Sequence, residues 1–211
     1  PEPEPEPEPE LPPLVTLRGG IVVNEFLSDP TGDTNVDVDG NGEATSTDEF
    51  VELYNAGSDP VDLAGLELVD PSAGAWFTVE NETLLQPGGF AVILIKVDDT
   101  GTLPDLADGN HALDAGYYMA VLNNGGDNVV LLDREAGEYL HIVYNGAQAM
   151  DPASELIDDG FPTDAVRLGD IQDWGSPTSG ASLARDPDGI GIPTGHLEMG
   201  EPASPGIPNA E

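Results

Sequence analysis

Cysteine is absent from this sequence of 211 residues, and basic side chains are scarce: 5 lysines and arginines stand against 41 aspartates and glutamates. Without cysteine the chain can form neither a disulfide nor a thiolate site. The formal net charge of -36 repels the phosphates of nucleic acids and the headgroups of anionic membranes. We therefore expect no nucleic-acid partner, and we favour cations and neutral or cationic surfaces as partners.

Long apolar runs are absent as well. No stretch approaches the roughly 20 apolar residues of a membrane span, and no basic segment followed by an apolar one opens the chain. We therefore expect no insertion into a membrane. Because the chain begins with Pro1, we also expect that it starts after a processing site or partway through a longer product.

Short runs rich in Val, Leu, Ile and aromatic residues recur from Leu14 onward, and turn sequences such as NAGSD, QPGG and NNGGD separate them. The 26 glycines and 20 prolines leave little room for long helices. Apolar and polar residues alternate in FVELYN and in VDLAGLELV, which predicts strands with one buried and one wet face. The pattern indicates an all-β protein, a β-sandwich of antiparallel strands.

Residues 1–13 differ from the rest because they begin with the repeat PEPEPEPEPE. Alternate prolines fix the backbone and like charges stretch it, so we expect an extended linker or tail. A neighbouring copy of the chain is one candidate for holding this segment in place. Residues 14–211 are then predicted to form a single domain.

The segment 145–180 is longer than an ordinary loop and lacks a firm period. We expect Phe161 and Trp174 to anchor it on the domain. The aromatic residues in the middle of the chain could line a carbohydrate or protein surface, but bulky residues of alternating strands more often fill the core between two sheets. We expect that Trp76, Phe77, Tyr117 and Tyr118 fill the core.

An ordered set of motifs runs from about Ile21 to Asn209: IVVNEFLSDP, DEFVELYNAGSDPVDLAGLELVD, LQPGGFAVI, NNGGDNVVLLD, SLARDPDG and PASPGIPN. Together these motifs resemble the lamin-tail domain family, in the type found in secreted bacterial and archaeal proteins. The resemblance implies an immunoglobulin-like β-sandwich without catalytic residues, used as a module of secreted or surface proteins. No heptads and no basic nuclear signal occur, so a nuclear function does not carry over.

A cluster of carboxylates lies between the first two predicted strands, in the stretch DVDGNGEATSTD. Read from Asp37, it matches the calcium-loop pattern D-x-[DN]-x-[DN]-G-x5-E, with Asp48 in place of the final glutamate. Alternate oxygen side chains of a tightly wound loop converge on one point, and Gly42 allows the sharp turn between them. The stretch predicts a calcium site with ligands from Asp37, Asp39, Asn41, Glu43 and Asp48.

Neighbouring residues could complete the coordination of that ion. Glu49 follows the loop directly, while Asp33 and Asn35 continue the odd-numbered spacing upstream and leave an offset register or a second ion open. Asp and Asn in a glycine-rich loop also form turns without any ion, which is the structural alternative. Calcium fits better than magnesium, which keeps its waters, and better than zinc, which prefers His or Cys.

Catalytic motifs are missing from the chain. It contains no G-x-S-x-G elbow, Walker loop or H-E-x-x-H motif, and His111 and His141 belong to no ligand spacing. We expect a non-catalytic, extracellular or cell-surface calcium-binding unit with a structural or adhesive role, which could assemble with other copies of itself into a fibre. The alternative is an accessory module that targets or stabilises a larger secreted hydrolase, such as a nuclease or phosphatase.

Overall fold

The computed structural model describes residues 14–32, 35–177, 180–196 and 203–209. These ranges contain fourteen strands and one short helix, so the predicted all-β class is confirmed. The Pro/Glu segment 1–13 and Asp33, both named in the predictions above, lie outside the described residues. The first seven strands are β1 Ile21–Leu27, β2 Phe50–Asn55, β3 Val61–Asp62, β4 Leu66–Asp70, β5 Gly74–Thr78, β6 Leu84–Leu85 and β7 Phe90–Leu94. The remaining elements are β8 His111–Asp114, β9 Asn128–Asp133, β10 Glu138–Val143, α1 Pro152–Glu155, β11 Val166–Arg167, β12 Gln172–Asp173, β13 Leu183–Asp186 and β14 Ile192–Gly195.

Two large sheets face each other. The first has the strand order β14-β13-β1-β2-β7-β8, and the second has the order β11-β10-β9-β4-β5, with β12 also paired to β10. A small ribbon of β3 and β6 stands apart from both. The central pairs are antiparallel: Leu27 lies opposite Phe50 in the first sheet, and Val69 lies opposite Val130 in the second.

The main core fills the space between these sheets. It combines Val23, Val51 and Ile93 of the first sheet with Leu68 and Leu131 of the second. Because alternate residues of a strand point to the same face, each strand contributes every second side chain to this layer. The immunoglobulin-like β-sandwich predicted from the sequence is confirmed.

The outer face of the first sheet is also buried, so the wet face predicted for β2 is wrong. Glu25 and Glu52 are Cα partners across β1 and β2, and neither side chain is exposed. Ser204 donates its N–H and its Oγ–H to the Glu25 carboxylate, each at 3.1 Å. Gly206 donates its N–H to Oε2 of Glu52 at 2.6 Å. The segment 203–209 therefore covers this face, and short-range alternation could not reveal a cover so distant in the chain.

The wet face predicted for β4 is wrong for a different reason. Glu67 is buried because Arg134 lies over it and donates Nε–H and Nη2–H to its two carboxylate oxygens, at 2.6 and 2.7 Å. This bidentate ion pair neutralises the carboxylate of Glu67, which points to the outer face of the second sheet. Val69 of the same strand packs with Tyr139 and Phe161 in a second apolar cluster, so the segment after β10 also covers this face.

The described part of the segment 145–180 packs on the domain as predicted. Trp174 belongs to the main core, and Phe161 belongs to a second apolar cluster with Tyr139. Trp76 is buried, and Phe77 and Tyr117 pack partly against the main core. Tyr118 is 73% exposed, so its predicted place in the core is wrong.

Membrane-spanning helices are not found in the part of the chain that the structure describes, since none of its helices has the length and apolarity to cross a bilayer.

Acidification is expected to destabilise the fold through His141. The ring is buried beside Asn128, with Nε2 2.8 Å from Oδ1, and burial lowers the pKa of His141 to about 4. The unfolded chain binds a proton near the ordinary value of 6.5, so stability is lost as pH falls from 6.5 towards 4. Replacing His141 by Gln should remove about 2 kcal/mol of the difference in unfolding free energy between pH 7 and pH 5.

Urea denaturation at the two pH values measures this effect. Comparing the variant with the wild type subtracts the carboxylates that titrate in the same range. His111→Gln, on the partly exposed edge strand β8, is the matched control and should leave the pH dependence as it is. An unaltered pH dependence in His141→Gln would contradict the assignment.

Candidate metal centre

Three carboxylates of the acidic loop converge. Asp37, Asp39 and Asp48 each place one oxygen within 4.8 Å of the others, and among the described residues they are the one such group of three. Asp39 and Asp48 are only 2% exposed, whereas Asp37 lies towards solvent. The arrangement is a small acidic cup that is closed on the protein side.

Backbone N–H groups of the loop itself hold Asp48 in this cup. Its Oδ1 accepts from the N–H of Val38 at 2.9 Å and of Asp39 at 3.3 Å, and its Oδ2 accepts from the N–H of Thr45 at 2.7 Å. One carboxylate thereby ties both halves of the loop together. A twelfth-position Asp is shorter than the usual Glu, and the loop bends close enough for it to reach.

Asp37 organises the tip of the loop. Its two oxygens accept from the N–H groups of Asn41 at 3.1 Å and Gly42 at 2.7 Å. Gly42 has a φ of +96° and Gly40 a φ of +68°, a region that favours glycine, so the chain can fold back on itself here. The role predicted for Gly42 agrees with this turn.

The loop is also fastened to the body of the sandwich. Oδ2 of Asp39 accepts from the N–H of Asp98 at 2.8 Å, and the carbonyl of Asp39 accepts from the N–H of Thr102 at 2.7 Å. Below it, Val38 packs into an apolar cluster with Leu27 and Phe50. The outer face of the first sheet thus supports the loop.

Positive side chains are engaged elsewhere. Lys96 donates to Oδ1 of Asp98 at 2.5 Å. Asp98 is itself bonded to Asp39 of the cup through its backbone N–H. The hydrogen bond between Lys96 and Asp98 raises the pKa of Lys96 and lowers that of Asp98. The four arginines bond to other partners: Arg18 to Asp133, Arg134 to Glu67, Arg167 to the carbonyl of Gly169 and Arg185 to the carbonyl of Val23. Within the described residues, no ion pair therefore neutralises the three loop carboxylates.

Of the other predicted ligands, Asn41 contacts one of the three carboxylates with its side chain, because its Nδ2–H donates to Oδ2 of Asp39 at 3.3 Å. Asn35 is exposed and accepts from the N–H of Gly32 at 3.2 Å, and Glu43 is exposed too. Oδ1 of Asn41 accepts from the N–H of Glu43 at 2.7 Å. Glu49 turns inward, where its Oε2 accepts from the N–H groups of Val121 and Leu122 at 2.8 and 2.9 Å. Asp33 lies outside the described residues.

Sequence reasoning missed two features of this end of the molecule. The first is the contact of the loop with Asp98 and Thr102, which no local pattern indicates because these residues lie far along the chain. The second is a pair of buried carboxylates, Asp70 and Asp127, close to Glu49. Asp70 ends an apolar strand and Asp127 follows NNGG, positions that read as ordinary turns.

Ser204, His196 and Glu25 meet in the buried network under the segment 203–209, but they do not form a nucleophilic triad. Ser204 Oγ lies 3.1 Å and Glu25 Oε1 3.3 Å from the same ring nitrogen, Nε2 of His196. A relay needs the base and the orienting carboxylate on opposite nitrogens of the ring. All three side chains are also buried, so this group fastens the fold.

The comparison with protein families agrees with this architecture. Residues 15–147 match the model of the lamin tail domain, a range that contains the acidic loop and β1 to β10. A comparison with curated proteins finds no relative of the sequence. The lamin tail domain is a non-catalytic immunoglobulin-like domain. The match covers more than half of the chain and agrees with the sandwich, so the chain belongs to the lamin tail domain family.

Proposed function

We propose that the chain is a calcium-binding module in which one Ca²⁺ is held by Asp37, Asp39 and Asp48. The observation that carries this proposal is the convergence of three carboxylates, two of them buried, in a loop whose spacing matches a calcium loop. Carboxylates at such range repel one another, and burial makes the repulsion more costly. A divalent cation removes that cost.

Calcium is the ion that this donor set favours. The cup offers only oxygen atoms, and calcium takes six to eight oxygen ligands at about 2.3–2.6 Å, among them backbone carbonyls and water. Asp37 faces solvent, so water can reach the open side and complete the coordination. Asn41 and Glu43 are near enough in sequence to contribute after a change of rotamer.

The role of the ion is mechanical. The loop joins the end of β1 to the start of β2, and through Asp98 it also holds the segment between β7 and β8. An ion bound only by the folded chain stabilises that state, by about 2.7 kcal/mol when free calcium exceeds the Kd a hundredfold. Extracellular calcium modules often have a Kd of about 10⁻⁴–10⁻³ M. We therefore place the module outside the cell or on its surface, in proteins of the secreted bacterial or archaeal type.

We expect calcium to raise the melting temperature by about 5–10 °C over that in EDTA. Titration calorimetry should register binding, and the double variant Asp37→Asn, Asp39→Asn, called the loop variant below, should bind at least about a hundredfold more weakly. The control is Asp158→Asn, an exposed carboxylate that should bind as the wild type does. The proposal would be refuted if calorimetry detected no heat of calcium binding and the melting temperature were the same in calcium and in EDTA.

A structural or adhesive role is the use we propose for such a module, including assembly with further copies of the chain into a fibre. The described part of the first sheet ends in β14, whose Ile192 is 62% exposed. An edge strand with an exposed apolar side chain can pair with a strand of another copy.

Electron microscopy with and without EDTA tests assembly. We expect oligomers or filaments in calcium, their loss in Ile192→Lys because a charge on an edge strand blocks pairing, and their retention in Ile157→Lys. Ile157 is 49% exposed and lies away from that edge, so it provides the matched control. Monodisperse single particles under every condition would count against assembly.

The second candidate function is that of an accessory module which targets or stabilises a larger secreted hydrolase. Membership of a non-catalytic family favours it, since chemistry would then belong to another domain. A full-length gene with a nuclease or phosphatase segment would support this function, and a gene that encodes only further structural modules would argue against it.

A further inference from the structure

Several buried polar groups meet at the inner side of the same end of the sandwich. Glu49 precedes β2, Asp70 ends β4, Asp127 precedes β9 and Tyr144 follows β10. The strand registers bring these termini to one end, since Val143 lies opposite Asn128 and Val69 opposite Val130. Each of the four side chains is at most 5% exposed.

The three carboxylates surround one region between the sheets. Asp127 and Asp70 both act electrostatically on Glu49, and all three act on the hydroxyl of Tyr144. Tyr144 in turn donates its O–H to the carbonyl of Asn123 at 2.8 Å, in the turn that leads to Asp127. We call Glu49, Asp70 and Asp127 the inner carboxylates.

Asp70 carries the observation that points to a ligand. Its Oδ1 accepts three hydrogen bonds, from the N–H and the Oγ–H of Ser72 and from the N–H of Ala73, all at 2.7 to 2.8 Å. Its Oδ2 is buried without a hydrogen-bond partner, although the side chain is only 1% exposed. A buried carboxylate oxygen without a partner costs free energy unless an ion or water binds it.

Neutralisation by the protein itself is incomplete. The five lysines and arginines are bonded elsewhere, as described above. Among the described residues, no ion pair therefore reaches Glu49, Asp70 or Asp127.

We propose that the inner carboxylates form a second cation site, which takes one hydrated Ca²⁺ between the two sheets. Asp70 Oδ2 would bind the ion directly, and Asp127 and Glu49 would complete it directly or through water. Their oxygens are not within 4.8 Å of one another as those of the loop are, so water molecules have to fill the coordination shell.

The inner site is separate from the loop site, although they share a stretch of backbone. Asp48 and Glu49 are consecutive residues at the entry to β2, and successive side chains of an extended chain point to opposite faces. Asp48 therefore faces the loop while Glu49 faces the space between the sheets. The inference extends the proposed calcium function, but it does not require that the loop site be correct.

Counting ions on the full chain tests the proposal. Calorimetry with Ca²⁺ should give two ions per chain for the wild type, one for the loop variant, one for Asp70→Asn and two for the control Asp158→Asn. Asp127→Asn should also give one ion, and it replaces Asp70→Asn in the test if that variant fails to fold. A wild type that binds a single ion, lost in the loop variant, would overturn the inner site.

Terbium gives a readout that depends on the position of the ion. Tb³⁺ bound to the loop variant should be excited through Tyr144, and its luminescence lifetimes in H₂O and D₂O should report bound water. Tyr144→Phe in the loop variant should reduce that emission severalfold. Unchanged emission, or wild-type stoichiometry in Asp70→Asn, would show that the inner carboxylates hold protons instead. If the loop variant keeps both ions while Asp70→Asn loses one, the loop proposal fails and the inner site stands.

Discussion

Hydrogen bonds from backbone N–H groups to buried carboxylates hold this domain together at several points. Asp48 joins the two halves of the acidic loop in this way, and Asp39 fastens the loop to the segment between β7 and β8. On the neighbouring part of the same sheet, Glu25 and Glu52 bind Ser204 and Gly206 and so hold the C-terminal cover. A chain with 41 acidic and 5 basic residues has too few basic side chains to pair most of its carboxylates, so at these points the peptide backbone supplies the donors.

Backbone donors satisfy hydrogen bonds, but they leave the negative charge in place. Burial with the added effect of Glu25 raises the pKa of Glu52, and hydrogen bonds from Asn24 and Gly206 oppose that shift. Protonation of Glu52 can therefore relieve its repulsion with Glu25. The loop carboxylates converge more closely around an open centre, where a divalent cation is the simplest counterion. The excess of carboxylates over basic side chains thus explains why one domain would contain both a protonated carboxylate pair and a metal site.

The sequence was most informative where structure is local. Spacing alone identified the acidic loop, because Asp37, Asp39 and Asp48 need only a tight turn to meet. It also led to the sandwich, since short apolar runs with turns between them leave few alternatives. It failed where distant segments meet. Alternation in FVELYN predicted that Glu52 faces solvent, because no nearby residue indicates that residues 203–209 cover it. Glu49 looked like a loop ligand by adjacency, yet its extended backbone turns it inward to the N–H groups of Val121 and Leu122.

The central claim is that a divalent cation neutralises Asp37, Asp39 and Asp48. Anomalous diffraction from crystals grown with Ca²⁺ or Tb³⁺ tests it most directly, because it locates the ion without reference to stability or activity. The account predicts a strong anomalous peak among the three carboxylates, with oxygen distances of about 2.3–2.6 Å for calcium. Well-ordered crystals that show no peak there in excess metal would contradict it.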